Sequence, residues 1–225
     1  CIGIIFFSFR NVIIFTMLNS VSFEKGLELV KVRSESMAKA GHLQNGTMAA
    51  IVGLEEKEVQ LICSSYKGKG LVVIANHNSP NQIVISGNIS AVQDAMEHAK
   101  ESGARLVKEL NVSGAFHSPL MKSAKVALSK ALDDININNS TIPVYSNVNA
   151  KATIQADEIR LNLKNQIDSP VLWTKTISNM KNDKATRMVE VGPGKVLQGL
   201  TKKIDKDLQC SSIENLEQVN EFDYV

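Results

Sequence analysis

Residues 47 to 112 switch between strand and helix patterns in one fixed order, and that order constrains the fold more than any other feature of the chain. "TMAAIVG" reads as a strand, "EEKEVQLICSSY" as a polar helix, and "LVVIANHN" and "QIVISG" as two strands joined through "SPN". "SAVQDAMEHAKESG" reads as a second helix and "ARLVKELNV" as a last strand. The order β-α-β-β-α-β is the split βαβ of ferredoxin-like folds. That fold hosts RNA binders, metal carriers and enzyme subdomains alike, so by itself it assigns no activity. No aromatic pair stands at base-stacking positions on its strands, and no nucleic-acid partner is expected. Beyond it come a helix from Ser118, the strand "IPVYSNVNA", a polar helix near 156 to 166, "SPVLWTKTISNM", and "RMVEVG" turning through "GPG" into "KVLQGLTKKI". This alternation implies an α/β layer. The "GPG" lacks GxGxxG or P-loop spacing and reads as a strand-to-helix turn rather than a phosphate cradle.

Composition excludes several classes. The chain has 225 residues, 44% hydrophobic and 21% charged, which is ordinary for a globular protein. Lys plus Arg (25) against Asp plus Glu (23) leaves +2, too balanced for a general nucleic-acid binder. Cys1, Cys63 and Cys210 are far apart and lack CxxC spacing, so neither a disulfide framework nor a zinc site is indicated. His42, His77, His98 and His117 show no HxxxH spacing, and no metal is expected.

The first residues depart from the rest: the chain begins with Cys and runs "CIGIIFFSFRNVIIFTML" with no acidic residue before Glu24. A membrane span needs about 20 apolar residues, and Arg10 interrupts this shorter run. A signal peptide fits poorly, because the charge lies within the apolar region and no small-residue cleavage site follows. A buried strand and helix cut from a longer chain, or a mistranslated start, remain as readings.

Two residues stand out against their local patterns. Ser22 is a candidate cap for a helix reaching about Ala40. At 100° per residue Phe23, Leu27, Val30 and Met37 share one face, while Glu24, Glu28, Lys31, Glu35 and Lys39 gather opposite. Arg33 projects among Leu29, Val30 and Ala40 on the apolar side, so it needs an anionic partner, either a protein carboxylate or a ligand. His117 stands just before Ser118-Pro119, a helix start by the preferences of caps and first positions. Leu120, Ala124, Leu128 and Leu132 give the following helix a buried face. A helix N-terminus and partial burial both favour the neutral imidazole a general base requires. A packed histidine capping a turn fits the same position.

Several segments together resemble the malonyl-CoA:acyl carrier protein transacylases of fatty acid synthesis and the acyltransferase domains of polyketide synthases. They are "SFEKGLELVKVRSESM", "GTMAAIVGL", "VVIANHNSPNQIVISG", "VSGAFHSPLM", "IPVYSNVNA", "QIDSPVLWTKTI" and "VEVGPGKVLQGLTKKI", in family order from residue 22 to about 204. The resemblance implies an α/β-hydrolase-like large domain, residues 1–46 and 114–225, carrying a ferredoxin-like subdomain at 47–113. It implies two-step transfer of malonyl from coenzyme A through a seryl ester to the phosphopantetheine thiol of acyl carrier protein, with malonyl-CoA as substrate and no permanently bound cofactor. It makes His117 the base, oriented by the main-chain carbonyl of Gln166, and Arg33 the residue that grips the malonyl carboxylate. Phe116 matches malonyl-selective members, and Asn78 of "NHNSPNQ" falls at the pocket, where plain turn chemistry is the alternative. Lys195, Lys202 and Lys203 suggest a face for the acidic carrier protein, with a solvated helix end as the alternative.

The chain also departs from that family. The elbow GHSxGE and the oxyanion loop GQGxQ are both absent, and residues 1 to 21 do not match. Ungapped extension from the Arg33 helix places the nucleophile on Ser8, within "FFSFRN", where Phe7 and Arg10 would crowd a sharp strand-to-helix turn. The expectation is the C-terminal two-thirds of a transacylase that does not complete catalysis as written. The alternative is an inactive relative that binds carrier protein or acyl-CoA. A monomer is expected, cytoplasmic or else in a mitochondrion or plastid, with no membrane attachment.

Overall fold

The computed structural model describes residues 4–5 and 20–222. A short β1 (Ile4–Ile5) precedes the long helix α1 (Phe23–Leu43). Then follow β2 (Gly46–Val52), α2 (Glu56–Ser65), β3 (Val72–Ser79), β4 (Gln82–Asn88), α3 (Ile89–Glu101) and β5 (Leu106–Glu109). A 3-10 turn (Pro119–Met121) leads into α4 (Lys122–Asp133), then β6 (Val144–Tyr145), β7 (Ala152–Thr153), α5 (Ala156–Gln166) and α6 (Trp173–Asn182). The chain continues through β8 (Arg187–Val191), α7 (Val196–Ile204), β9 (Gln209–Ile213) and α8 (Leu216–Asn220).

The β-α-β-β-α-β order forms one antiparallel four-stranded sheet, ordered β3-β4-β2-β5. This is the ferredoxin-like arrangement: the two outer strands are the second and fourth of the unit, and both helices pack on one face. Ile51, Ile74, Ile83 and Ile85 face Val59, Ile62, Val92 and Ala95 of α2 and α3. The sheet's other face is buried too, through Met48, Ala75 and Val84 with Phe116 against them. Parallel pairs occur outside this sheet, β1 with β6 and β8 with β9, as an α/β layer requires.

Two expectations change. Ser22 does cap α1, accepting from the Lys25 amide, but Phe23 (61% exposed) and Leu27 (49%) are not on its inner face. The buried stripe is Gly26, Leu29, Arg33, Met37 and Ala40, with the arginine at its centre. Arg33 lies inward among Leu29 and Ala40 as its helical angle implied, and the stripe is rotated away from Phe23 and Leu27 toward it. Secondly, the segment after Ser118 begins as a 3-10 turn, and the α-helix starts only at Lys122. Ala124, Leu128 and Leu132 are buried as expected, while Leu120, within that turn, is only partly so.

Backbones meet without side chains between them where α1 ends. A Cβ on Gly41 would lie 2.1 Å from the Ser113 carbonyl, and one on Gly114 would lie 2.7 Å from the Gly41 Cα. Glycine at both positions lets the chain leading into His117 lie directly on the helix that carries Arg33.

Candidate active site

His117 occupies a left-handed backbone conformation, φ 58°, unusual for a residue with a side chain. Ser118 holds the turn: its hydroxyl donates to the Ala115 carbonyl at 2.6 Å and accepts from the Leu120 amide. The ring is 4% exposed, and Nδ1 lies 3.0 Å from the Gln166 main-chain oxygen. A carbonyl only accepts, so Nδ1 carries the proton and Nε2 keeps its lone pair. Burial pushes the ring's pKa down to about 4; the Arg33 charge adds to this, and the carbonyls of Gln166 and Ser169 oppose it. The imidazole is therefore neutral at physiological pH with one basic nitrogen.

Arg33 is 7% exposed, and burial lowers its pKa to about 10, still far above neutrality. A sheltered, permanent positive charge thus stands within electrostatic reach of a neutral imidazole. Gln166 closes α5, where the last carbonyls lack helical partners and remain available to accept. Its side-chain Nε2 donates to the carbonyls of Ser169 and Pro170. The following stretch then ties onto β3: Val171 N–H donates to Ala75 O, His77 N–H donates to Val171 O, and Thr174 Oγ1 donates to His77 O.

The β3–β4 register slips twice, between Ile74 and Asn76 and between His77 and Ser79. Asn78 is the extra residue of the second irregularity, a device that re-aims a side chain. It is 7% exposed, and its Oδ1 has no hydrogen-bond partner among the described residues. Phe116 packs against both the α1–α4 core and the second face of the sheet, wedged where the two units meet. Segment 166–174 thus gathers the His117 end of the large unit and the Asn78 end of β3 into one place. Ser8 lies outside the described residues.

Some of these features had no signal in the sequence. The bulges sit inside the β3–β4 hairpin but are backbone irregularities that side-chain alternation does not encode, and the β3 contacts of Val171 and Thr174 join residues about a hundred positions apart. Among the described residues no group of three or more His, Cys, Asp or Glu could hold a metal ion, and no helix is long and apolar enough to cross a membrane. The "GPG" turn carries positive φ at Gly192 and Gly194. The amides after it are occupied from within, since the buried Glu190 accepts from Leu197 and Gln198. The three lysines are not one cluster: Lys195 stands just before the first residue of α7, while Lys202 and Lys203 lie in its last turn, about 10 Å further on.

A split βαβ unit joined to an α/β layer thus carries a buried histidine on a main-chain carbonyl within electrostatic reach of a buried arginine. The chain belongs to the acyl transferase domain family, whose pattern matches residues 15–218. It is 40% identical over 200 residues to the malonyl CoA-acyl carrier protein transacylase of Haemophilus influenzae, covering 89% of this chain and 64% of that protein. The Bacillus subtilis transacylase is 38% identical over 201 residues, 89% of this chain and 63% of its own. The chain thus spans just under two thirds of the length of these relatives. The solved transacylase of Coxiella burnetii superposes with a TM-score of 0.93 at 32% identity, covering 97% of this chain and 69% of that one. A malonyl-transacylase solved in complex with a type II polyketide synthase acyl-carrier protein gives 0.88 at 31% identity, with 93% and 68% covered.

Proposed function

We propose that this chain carries the acyl-transfer site of a malonyl-CoA:acyl carrier protein transacylase. The single observation that carries the reading is a buried neutral His117, held by the Gln166 carbonyl, within electrostatic reach of a buried Arg33. Nε2 takes the proton from a hydroxyl nucleophile as that oxygen attacks the thioester carbon, and returns it to the departing coenzyme A thiolate. In the second half-reaction it takes the proton of the phosphopantetheine thiol of acyl carrier protein as the sulfur attacks the seryl ester carbon, and returns it to the serine oxygen as the ester bond breaks. Arg33 pairs with the free carboxylate of malonyl, an anion that acetyl lacks. Phe116 limits the space beside the acyl group, and Asn78 offers its open Oδ1 to substrate.

By resemblance the nucleophile position is Ser8. We take residues 47–113 as the ferredoxin-like insert and 1–46 with 114–225 as the large domain. The substrate is malonyl-CoA, no permanent cofactor is required, and the compartment is the cytoplasm, or a mitochondrion or plastid.

The test is binding and transfer measured together. Purified chain should bind malonyl-CoA about 10- to 150-fold more tightly than acetyl-CoA, the ratio one charge-assisted pair provides, and Arg33→Ala should erase the preference. Equal affinities in the parent chain would reject the reading. A second reading is favoured by "FFSFRN", which lacks the glycine-flanked elbow: a relative that binds acyl-CoA or carrier protein without turnover. Intact mass after incubation with malonyl-CoA separates the two, because only the enzyme forms a covalent malonyl adduct.

A further inference from the structure

His117 is oriented by a neutral main-chain carbonyl, so its aim depends on where that carbonyl is held. Beyond Gln166 the chain turns through residues 167–170, and two sets of bonds pin the turn. One is local: the Gln166 amide reaches the carbonyls of Ser169 and Pro170 at 3.2 and 3.3 Å. The other crosses to α4, where Lys125 Nζ lies 2.9 Å from Asp168 Oδ1. Lys125 stands in the first turn of the helix that follows His117, and Asp168 lies two residues past Gln166. The ion pair and the His117–Gln166 bond therefore join the same two stretches of chain. Both partners are partly sheltered, at 31% and 19% side-chain exposure, so solvent weakens the pair less than a fully exposed one. The left-handed backbone at His117 is a conformation that persists only when its surroundings over-determine it.

We propose that Lys125 and Asp168 are positioning residues for His117: their ion pair sets the spacing between the start of α4 and the end of α5 and so keeps the imidazole Nδ1–H on the Gln166 carbonyl. This rests on the reading of His117 as the base, but its test needs no turnover. The ring faces the Arg33 charge from α1 and the neutral carbonyls of Gln166 and Ser169 from the 166–171 stretch.

The experiment is NMR of the chain labelled with nitrogen-15 at its 4 histidines, with His117→Asn assigning the ring. The parent ring should hold the Nδ1–H tautomer and titrate well below the ordinary histidine range near 6.5. Asp168→Ala should mix the tautomers and raise the midpoint by about one unit or more as water reaches the ring. Lys125→Arg should keep the parent behaviour. A folded Asp168→Ala with the parent tautomer and midpoint would overturn the proposal. If that variant does not fold because it strands the lysine, Lys125→Met/Asp168→Leu leaves no charge behind and carries the same expectation. Loss of fold in both would also overturn it, since the pair would then hold the chain rather than the ring. A parent ring that already titrates near 6.5 with both tautomers would instead reject the base reading itself.

Discussion

Burial decides the protonation of His117, and linkage turns that into a dependence of stability on pH. The folded ring's pKa is pushed down to about 4, whereas in the unfolded chain it is near 6.5. Above 6.5 both states hold a neutral ring and the residue contributes nothing pH-dependent. Between 6.5 and 4 only the unfolded chain takes up the proton, so stability falls as pH drops through that window, by on the order of 3 kcal/mol in all. Urea unfolding at pH 7.5 and pH 5 should show this loss, and His117→Leu should reduce it; a parent with identical midpoints would contradict the burial. Asn78 leads to a different kind of expectation. Its Oδ1 is buried without a partner among the described residues, a cost of about 1–3 kcal/mol to the free protein. Asn78→Ala should leave the melting temperature level or raised while weakening malonyl-CoA binding. A large loss of stability would instead make it a structural residue.

Among the elements, α1 and α7 show how ends and faces are fixed. α1 meets the 113–114 stretch backbone to backbone, so Gly41→Ala must displace the loop that leads into His117. Overpacking of this kind costs about 1–3 kcal/mol, and here it should also weaken malonyl-CoA binding, measurable as a raised Kd beside a lowered Tm. At α7 a buried carboxylate does the work of a cap, with Glu190 holding the Leu197 and Gln198 amides. Glu190→Ala should cost about 0.5–2 kcal/mol by thermal unfolding, the range for losing a cap. Helix existence and type were legible in the sequence because amphipathic periods and caps are local. The inner face of α1 was not. Arg33 among Leu29 and Ala40 was read correctly as inward, but the apolar residues Phe23 and Leu27 drew the expected stripe to one side, and only the fold shows that they are exposed.

Across the whole molecule, Phe116 connects the large unit to the second face of the four-stranded sheet. Phe116→Ala should destabilise by roughly 2 kcal/mol or more, and hydrogen exchange should rise on both sides of the wedge, in α4 and in β3. Protection lost in one unit alone would mean the two are not coupled there. For carrier-protein docking, Lys202 and Lys203 at the end of α7 are the pair to test, since Lys195 lies at the other end. Reversing both charges should weaken binding of acyl carrier protein more at low salt than at high salt, because exposed charges are screened.

The sequence by itself determined the order of elements, the ferredoxin-like unit, the family resemblance, and His117, Gln166, Arg33, Phe116 and Asn78 as candidates. Strand and helix periods, caps and short motifs are written in neighbouring residues and survive without knowledge of the fold. Ser8 remains a sequence-level assignment, outside the described residues. Tertiary structure alone decided the left-handed turn that sets the His117 ring, and the bulge that turns Asn78. It also decided the tie from Val171 to β3 and the Lys125–Asp168 pair beside the Gln166 carbonyl. The tie and the ion pair need partners distant in sequence, and the turn and the bulge are backbone geometries that the periodicity of side chains does not encode.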